Sequence, residues 1–313
     1  MMSFEKFTVK MKETVDEILG AEYYSELKRM SKNNGTVLTG LTAGKADCMV
    51  QPVVYLESYY QAYLETDGEE GIEKMAEEIS RYYIDDRREK LNQEMLGSIQ
   101  DMFDYETIKD QIIFELVHAE RNREQLQDTI WIPFYDLAVT FRLYIKEDGD
   151  GVMSLKVSRE MELMWNVSLE EVFAKAKENM ERLFPACIVP MSELLEELIG
   201  ICSVNAEEDP VPFYVLTNRK RTMGATTLLY QGVLNQFAET VGSDFYIIPS
   251  SVDELILLPD MEGMDAETLN EMVKQVNYEV VSEEKQLSDH VYRYRKETKE
   301  IVSIEGGVKR NVD

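Results

Sequence analysis

From Phe213 to Tyr294 the apolar residues change their spacing in a set order, and that order constrains the fold more than any other stretch. Phe213-Tyr214-Val215-Leu216-Thr217 is a short aromatic and β-branched run of the kind that forms a strand. Leu229, Val233, Leu234, Phe237 and Val241 then recur at helical spacing, and Gly242 offers a left-handed stop. Phe245-Tyr246-Ile247-Ile248-Pro249 and Leu255-Ile256-Leu257-Leu258-Pro259 predict two strands joined through Ser250, Ser251 and Asp253. Leu269, Met272, Val273 and Val276 predict a second helix with these four on one face. His290-Val291-Tyr292-Arg293-Tyr294 alternates as a half-buried strand does. The order β-α-β-β-α-β predicts a ferredoxin-like, split βαβ arrangement. That superfold hosts many unrelated functions, so it assigns none here.

Ahead of this stretch the pattern mixes helices and hairpins. Phe4, Phe7, Met11, Val15, Ile18 and Leu19 predict an amphipathic helix that stops at Gly20. Lys32-Asn33-Asn34-Gly35 separates two strand-like runs, 24–30 and 36–41, and Asn-Gly supplies the positive φ angles of a tight hairpin. Pro52 confines a third strand, 49–55, to an edge or a bulge. Helices follow over 56–66 and 71–91, the second lined by Ile72, Met75, Ile79 and Tyr83. Residues 112–117 predict a strand. Residues 131–144 read as one strand interrupted by Pro133, with a hairpin through Gly149-Asp150-Gly151 into 152–157. Ser168 and Glu171 form a capping box for a helix carrying Val172, Phe173, Ala176, Met180 and Leu183, which Pro185 ends. One more helix covers 191–201. The fold class is therefore α+β: an N-terminal helix and hairpin region over 1–202, divisible again near 128, an acidic linker over 203–212, the C-terminal domain over 213–302 and a polar tail over 303–313.

With 60 acidic and 33 basic residues the formal charge is −27, and carboxylates are in excess on both sides of residue 202. Even acidity disfavours phosphate backbones and anionic membranes, and suits solubility or a partner with a basic surface. No apolar run reaches the length of a spanning helix, and the first residues lack a signal-peptide pattern. Three scattered cysteines, Cys48, Cys187 and Cys202, fit a reduced cytoplasmic setting.

Chemistry-bearing motifs are few. His118 and His290 are the two histidines, and neither has metal-ligand spacing with the cysteines, so no metal is expected. No glycine loop suited to a nucleotide is present, no cofactor is expected, and no catalytic motif is recognised. Ser288, Asp289 and His290 are adjacent, but on a strand Asp289 would face away from the other two, which excludes a local triad. Arg219, Lys220 and Arg221 form the one run of three basic residues and leave the end of an expected strand. With His290 and Arg293 they are the candidate residues for binding a small anion or a partner. The alternation Tyr292, Arg293, Tyr294, Arg295 could stack on bases, but the overall charge opposes nucleic acid. The leading expectation is a non-catalytic interaction or regulatory protein that binds another macromolecule. The alternative is a small-anion binder or enzyme built on Arg219–Arg221 and His290.

Several segments taken together carry a family likeness. They are Lys32-Asn33-Asn34-Gly35 with Leu41, Trp165-Asn166-Val167 with Ala176-Lys177-Glu178-Asn179, and Tyr214-Val215-Leu216-Thr217-Asn218. Gly242-Ser243-Asp244 with Pro249-Ser250-Ser251, and Leu287-Ser288-Asp289-His290-Val291-Tyr292, complete the set. In these the chain resembles an uncharacterised bacterial family, domain of unknown function 5688. The resemblance spans nearly the whole chain and implies no activity, substrate or catalytic residue.

Overall fold

The computed structural model describes residues 2–45, 51–65, 70–84, 101–148, 151–194, 213–260 and 266–304. The chain divides into two compact units, Met1–Phe103 and Asp104–Asp313.

In the first unit, α1 (Phe4–Leu19) is capped by the Ser3 hydroxyl and stops at Gly20, where φ is 73° and the amide donates to the Asp16 carbonyl. Phe7, Met11, Val15 and Leu19 face inward. Ile18, expected on that stripe, is exposed, and Thr8 and Thr14 share the inner face, their hydroxyls donating to the carbonyls of Glu5 and Lys10. β1 (Tyr24–Ser31) and β2 (Val37–Gly44) form the expected hairpin, with Asn34 and Gly35 at φ 57° and 75°. β3 (Val53–Tyr55) adds to β2 as an edge strand, where Pro52 belongs. α2 (Leu56–Glu65) and α3 (Glu70–Ile84) close the core over Leu41, Leu56, Ile72 and Ile79. The Tyr83 hydroxyl, itself buried, donates to the Leu41 carbonyl.

The second unit begins with α4 (Tyr105–Ile108) and a four-stranded antiparallel sheet. Its strands are β4 (Ile112–His118), β5 (Trp131–Phe134), β6 (Leu137–Asp148) and β7 (Gly151–Lys156), with β6 paired to all three others. The single strand expected over 131–144 is therefore two strands, broken by a two-residue turn at Tyr135 and Asp136. Tyr135 adopts φ 53°, a left-handed conformation that a bulky residue rarely takes. α5 (Arg159–Trp165) and α6 (Leu169–Leu183) follow, α6 capped by the Ser168 hydroxyl on the Glu171 amide at 3.2 Å. Phe173 of α6 packs its ring on Phe114 and Phe141 of the sheet.

A six-stranded antiparallel sheet completes the unit. It consists of β8 (Ala186–Pro190), β9 (Tyr214–Asn218), β10 (Phe245–Ile248), β11 (Leu255–Pro259), β12 (Tyr292–Arg295) and β13 (Glu300–Ser303), in the order β13-β12-β10-β11-β9-β8. α7 (Val233–Val241) links β9 to β10, and α8 (Ala266–Glu279) links β11 to β12. The element order β-α-β-β-α-β is thus as expected, but the ferredoxin-like sheet is not formed. In that arrangement the fourth strand returns beside the first. Here β8 occupies that edge of β9, and β12 lies against β10 instead. Both crossovers step two places in the same direction from strands that run oppositely, so right-handed connections put the two helices on opposite faces. Phe237 of α7 meets Phe245, with ring centroids 4.9 Å apart, while Leu269 and Val273 of α8 pack on Tyr246 and Leu258. Neighbouring residues on a strand face opposite ways, so the sheet is covered on both sides.

The face of α8 also departs from expectation. Leu269 and Val273 are buried, but Met272 and Val276 are exposed, and Asn270 and Asn277 take the remaining inner positions. Asn270 accepts the Val291 amide at 2.7 Å and Asn277 donates to the Ser288 carbonyl at 2.9 Å, so the helix is turned to bracket the 288–291 segment. The linker expected at 203–212 lies outside the described residues, as do most of the helix expected at 191–201 and the tail beyond 304. Strands from either side of that linker, β8 and β9, pair in one sheet.

Candidate functional site

The basic run leaves β9 through a turn built by its own last residue. Asn218, fully buried, accepts the Lys220 amide at 2.9 Å and donates to the Thr222 carbonyl at 2.7 Å. Arg221 and Met223 both adopt left-handed φ angles, and the Asp253 carboxylate holds the Met223 amide at 2.9 Å. The Lys220 ammonium pairs with Glu147 and sits 4.6 Å from the centre of the buried Phe184 ring, a cation–π contact that spends its charge within the fold. Arg219 and Arg221 are exposed. Both pull the Cys187 thiol toward ionisation, but burial prevails and its pKa is raised. Arg293 on β12 pairs with Asp244, at 3.1 Å, and with Asp260, and lies over the Tyr246 ring. His290 precedes β12 at the same end of the sheet as Arg219, yet β10 and β11 lie between them, about 14 Å at ordinary strand spacing. The five candidate residues do not gather in one pocket.

What the second unit does gather is centred on Asp136. The Tyr135–Asp136 turn reaches the six-stranded sheet, where Tyr135 donates its hydroxyl to the Ile301 carbonyl and its ring lies 5.5 Å from that of Tyr292. The Asp136 carboxylate accepts the Ser288 hydroxyl at 2.6 Å and the Tyr292 hydroxyl on its other oxygen. Ser288 and Tyr292 are both fully buried. Burial first, and then the adjacent carboxylate, hold the Tyr292 phenol well above its ordinary range. His118, at the end of β4, brings Nε2 to 3.9 Å from Asp136 while its Nδ1 accepts the Arg121 amide at 3.3 Å. Arg121 in turn pairs with Asp289 and donates to Gln286 at 3.0 Å. Asn277 of α8 donates to Asp289 at 2.8 Å.

Ser288, Asp289 and His290 depart from the expected strand geometry. Residues 287–291 are not a strand; β12 starts at Tyr292. The Ser288 oxygen turns back to accept the His290 amide at 2.9 Å, and its proton goes to Asp136. A buried hydroxyl already donating to a carboxylate is not a nucleophile open to a substrate. The arrangement acts as a latch between the two sheets of the unit. Asp136, Arg121 and Asn277 were not singled out from sequence, because Asp136 and Ser288 are 152 residues apart and no local spacing joins them.

Burial dominates at His118 and lowers its pKa, with Asp136 and Asp289 opposing and Arg121 and His290 reinforcing the shift. The folded state therefore binds this proton less readily than the unfolded chain. Its contribution is complete at neutral pH and is lost as pH falls below about 6.5, the ordinary imidazole value, toward the lower folded value. Urea unfolding between pH 7.5 and 5 should show stability falling with pH, and His118→Gln should flatten that slope. An unchanged slope in the variant would assign the effect to other groups.

A groove of about 350 Å³ runs along the β8 edge beside α7, lined by Cys187, Ile188, Pro190, Tyr214 and Phe237 among others. Among the described residues no three His, Cys, Asp or Glu side chains are placed to share a metal ion, and no helix is long and apolar enough to cross a membrane.

The architecture defines an α+β protein with antiparallel sheets. Its sequence matches the model of a family of unknown function, DUF5688, over residues 4–296, and the chain belongs to that family. Comparison with curated proteins and with solved structures returns no match.

Proposed function

We propose that this chain is a non-catalytic interaction or regulatory protein, working in a reduced cytoplasmic setting, that binds a protein with a basic surface. One observation carries the reading: of the four lysine and arginine candidates for an anion site, two, Lys220 and Arg293, are spent in the fold. Lys220 is tied to Glu147, and Arg293 to Asp244 and Asp260. The acidic residues outnumber the basic ones by 60 to 33, so a large carboxylate excess faces any partner. The polar cluster at Asp136 supports the same reading, since its hydroxyls serve packing.

A native pull-down from the source cell at low and high salt tests this. A stoichiometric protein released by salt is the expected result; no protein bound at low salt would overturn it. The second reading, a small-anion binder or enzyme, is favoured by Arg219 and Arg221, whose exposed guanidiniums both act on the Cys187 thiol. A small anion retained without any protein, and lost on Arg219→Ala with Arg221→Ala, would establish it.

A further inference from the structure

α8 carries a wider apolar arc than its sheet covers. Leu269 and Val273 are buried against Tyr246 and Leu258, but Met272, Val276 and Val280 remain 54%, 48% and 77% exposed. These three recur every fourth residue, and the Val280 amide continues the helical bonding to the Val276 carbonyl at 2.9 Å, so they form one continuous stripe along the helix shoulder. A surface of this kind on a helix marks a contact region more often than an isolated exposed side chain does.

Two features say what would cover it. At 100° per residue, Glu271 and Glu279 fall on the solvent side of the stripe, and both are exposed. A partner approaching the stripe therefore meets a carboxylate border. The helix is also held rigidly, with Asn270 and Asn277 bonded to the 288–291 segment on the inner side. A second copy of this chain would bring the same carboxylates against each other in a molecule already at −27.

Building on the interaction reading, we infer that the Met272–Val276–Val280 stripe is the docking surface for a cationic amphipathic helix of a protein partner. The partner helix lays leucine-like side chains along the stripe and sets lysine or arginine beside Glu271 and Glu279. This is the seam-and-flank logic of paired helices, with apolar contact giving affinity and flanking charge setting the choice of partner.

The test uses the full chain and a fluorescent synthetic helical peptide of leucine and lysine, with a leucine and glutamate peptide of the same pattern as control. The lysine peptide should bind, the glutamate peptide should not, and salt should weaken the complex. Met272→Asp with Val276→Asp should reduce binding about tenfold or more, as loss of a central apolar contact does. Leu163→Asp with Met164→Asp, at exposed apolar positions on α5, should leave it unchanged. Circular dichroism establishes that both variants fold. Equal effects of the two pairs, no effect of the α8 pair, or no binding to the unaltered chain would each overturn the assignment. So would a dimer, seen by sedimentation, that the α8 substitutions disperse. The pull-down separates the two levels. A natural partner still held by the α8 variant removes this surface and leaves the interaction reading standing, whereas an unaltered chain that captures nothing removes the interaction reading itself.

Discussion

Asp136→Ala should cost the larger unit about 3 kcal/mol, and lower its melting temperature by about 6–12 °C, because two buried hydroxyls lose a charged acceptor together. Ser288 retains a weak alternative in the His290 carbonyl at 3.4 Å, whereas the Tyr292 hydroxyl sits on a fully buried ring, where water cannot replace the carboxylate. The identity of the penalty can be read from a double-mutant cycle. Tyr292→Phe removes the stranded hydroxyl, so the pair Asp136→Ala with Tyr292→Phe should be less destabilised than the sum of the single changes by about 1 kcal/mol or more. Costs that simply add would mean that the carboxylate and the phenol are not coupled.

Gly224→Ala should be at least as damaging, for a steric reason. A methyl group there would sit 2.1 Å from both the Asp253 carbonyl oxygen and the Thr217 hydroxyl, which are themselves hydrogen-bonded at 2.7 Å. One of those atoms is backbone, so it cannot swing aside. The expected loss is on the order of 3 kcal/mol, at the upper end of overpacking effects. Gly242→Ala makes the useful comparison. That glycine has φ 79° at the end of α7 and open space around its missing side chain, so only the left-handed backbone is disfavoured. Its cost should be about 1 kcal/mol. Thermal melts of the two variants side by side decide the matter: a Gly242→Ala protein that melts lower than Gly224→Ala would contradict the packing account.

Much of the fold was legible because strand and helix periods are strong in this chain. The runs at β9, β10 and β11, the Asn34–Gly35 hairpin and the Ser168 cap were each announced by local chemistry. The failures share a cause. Tyr135 and Asp136 contain no glycine or Asn-Gly signal, and the turn exists because Tyr135 and Asp136 find partners on a distant sheet. Asn270 and Asn277 look like surface residues until the 288–291 segment needs their amides. β8 and β13 are short edge strands with no clear alternation, and without β8 the position of β12 could not be deduced. At the candidate site the basic run was visible, but the Glu147 that neutralises Lys220 comes from 73 residues away.

Covering the central sheet on both faces carries a hazard for the unfolded chain. Strands buried on each side need not alternate, and Phe245-Tyr246-Ile247-Ile248 and Leu255-Ile256-Leu257-Leu258 are unbroken apolar runs of high β-propensity. Released from α7 and α8, such segments are prone to stack with copies of themselves. The flanks oppose this. Asp244 and Pro249 bound the first run, and Asp253, Glu254, Pro259 and Asp260 bound the second. Proline cannot extend a ladder and like charges repel in register, so the residues that look like ordinary turn chemistry in the native sheet also act as gatekeepers against aggregation before it forms.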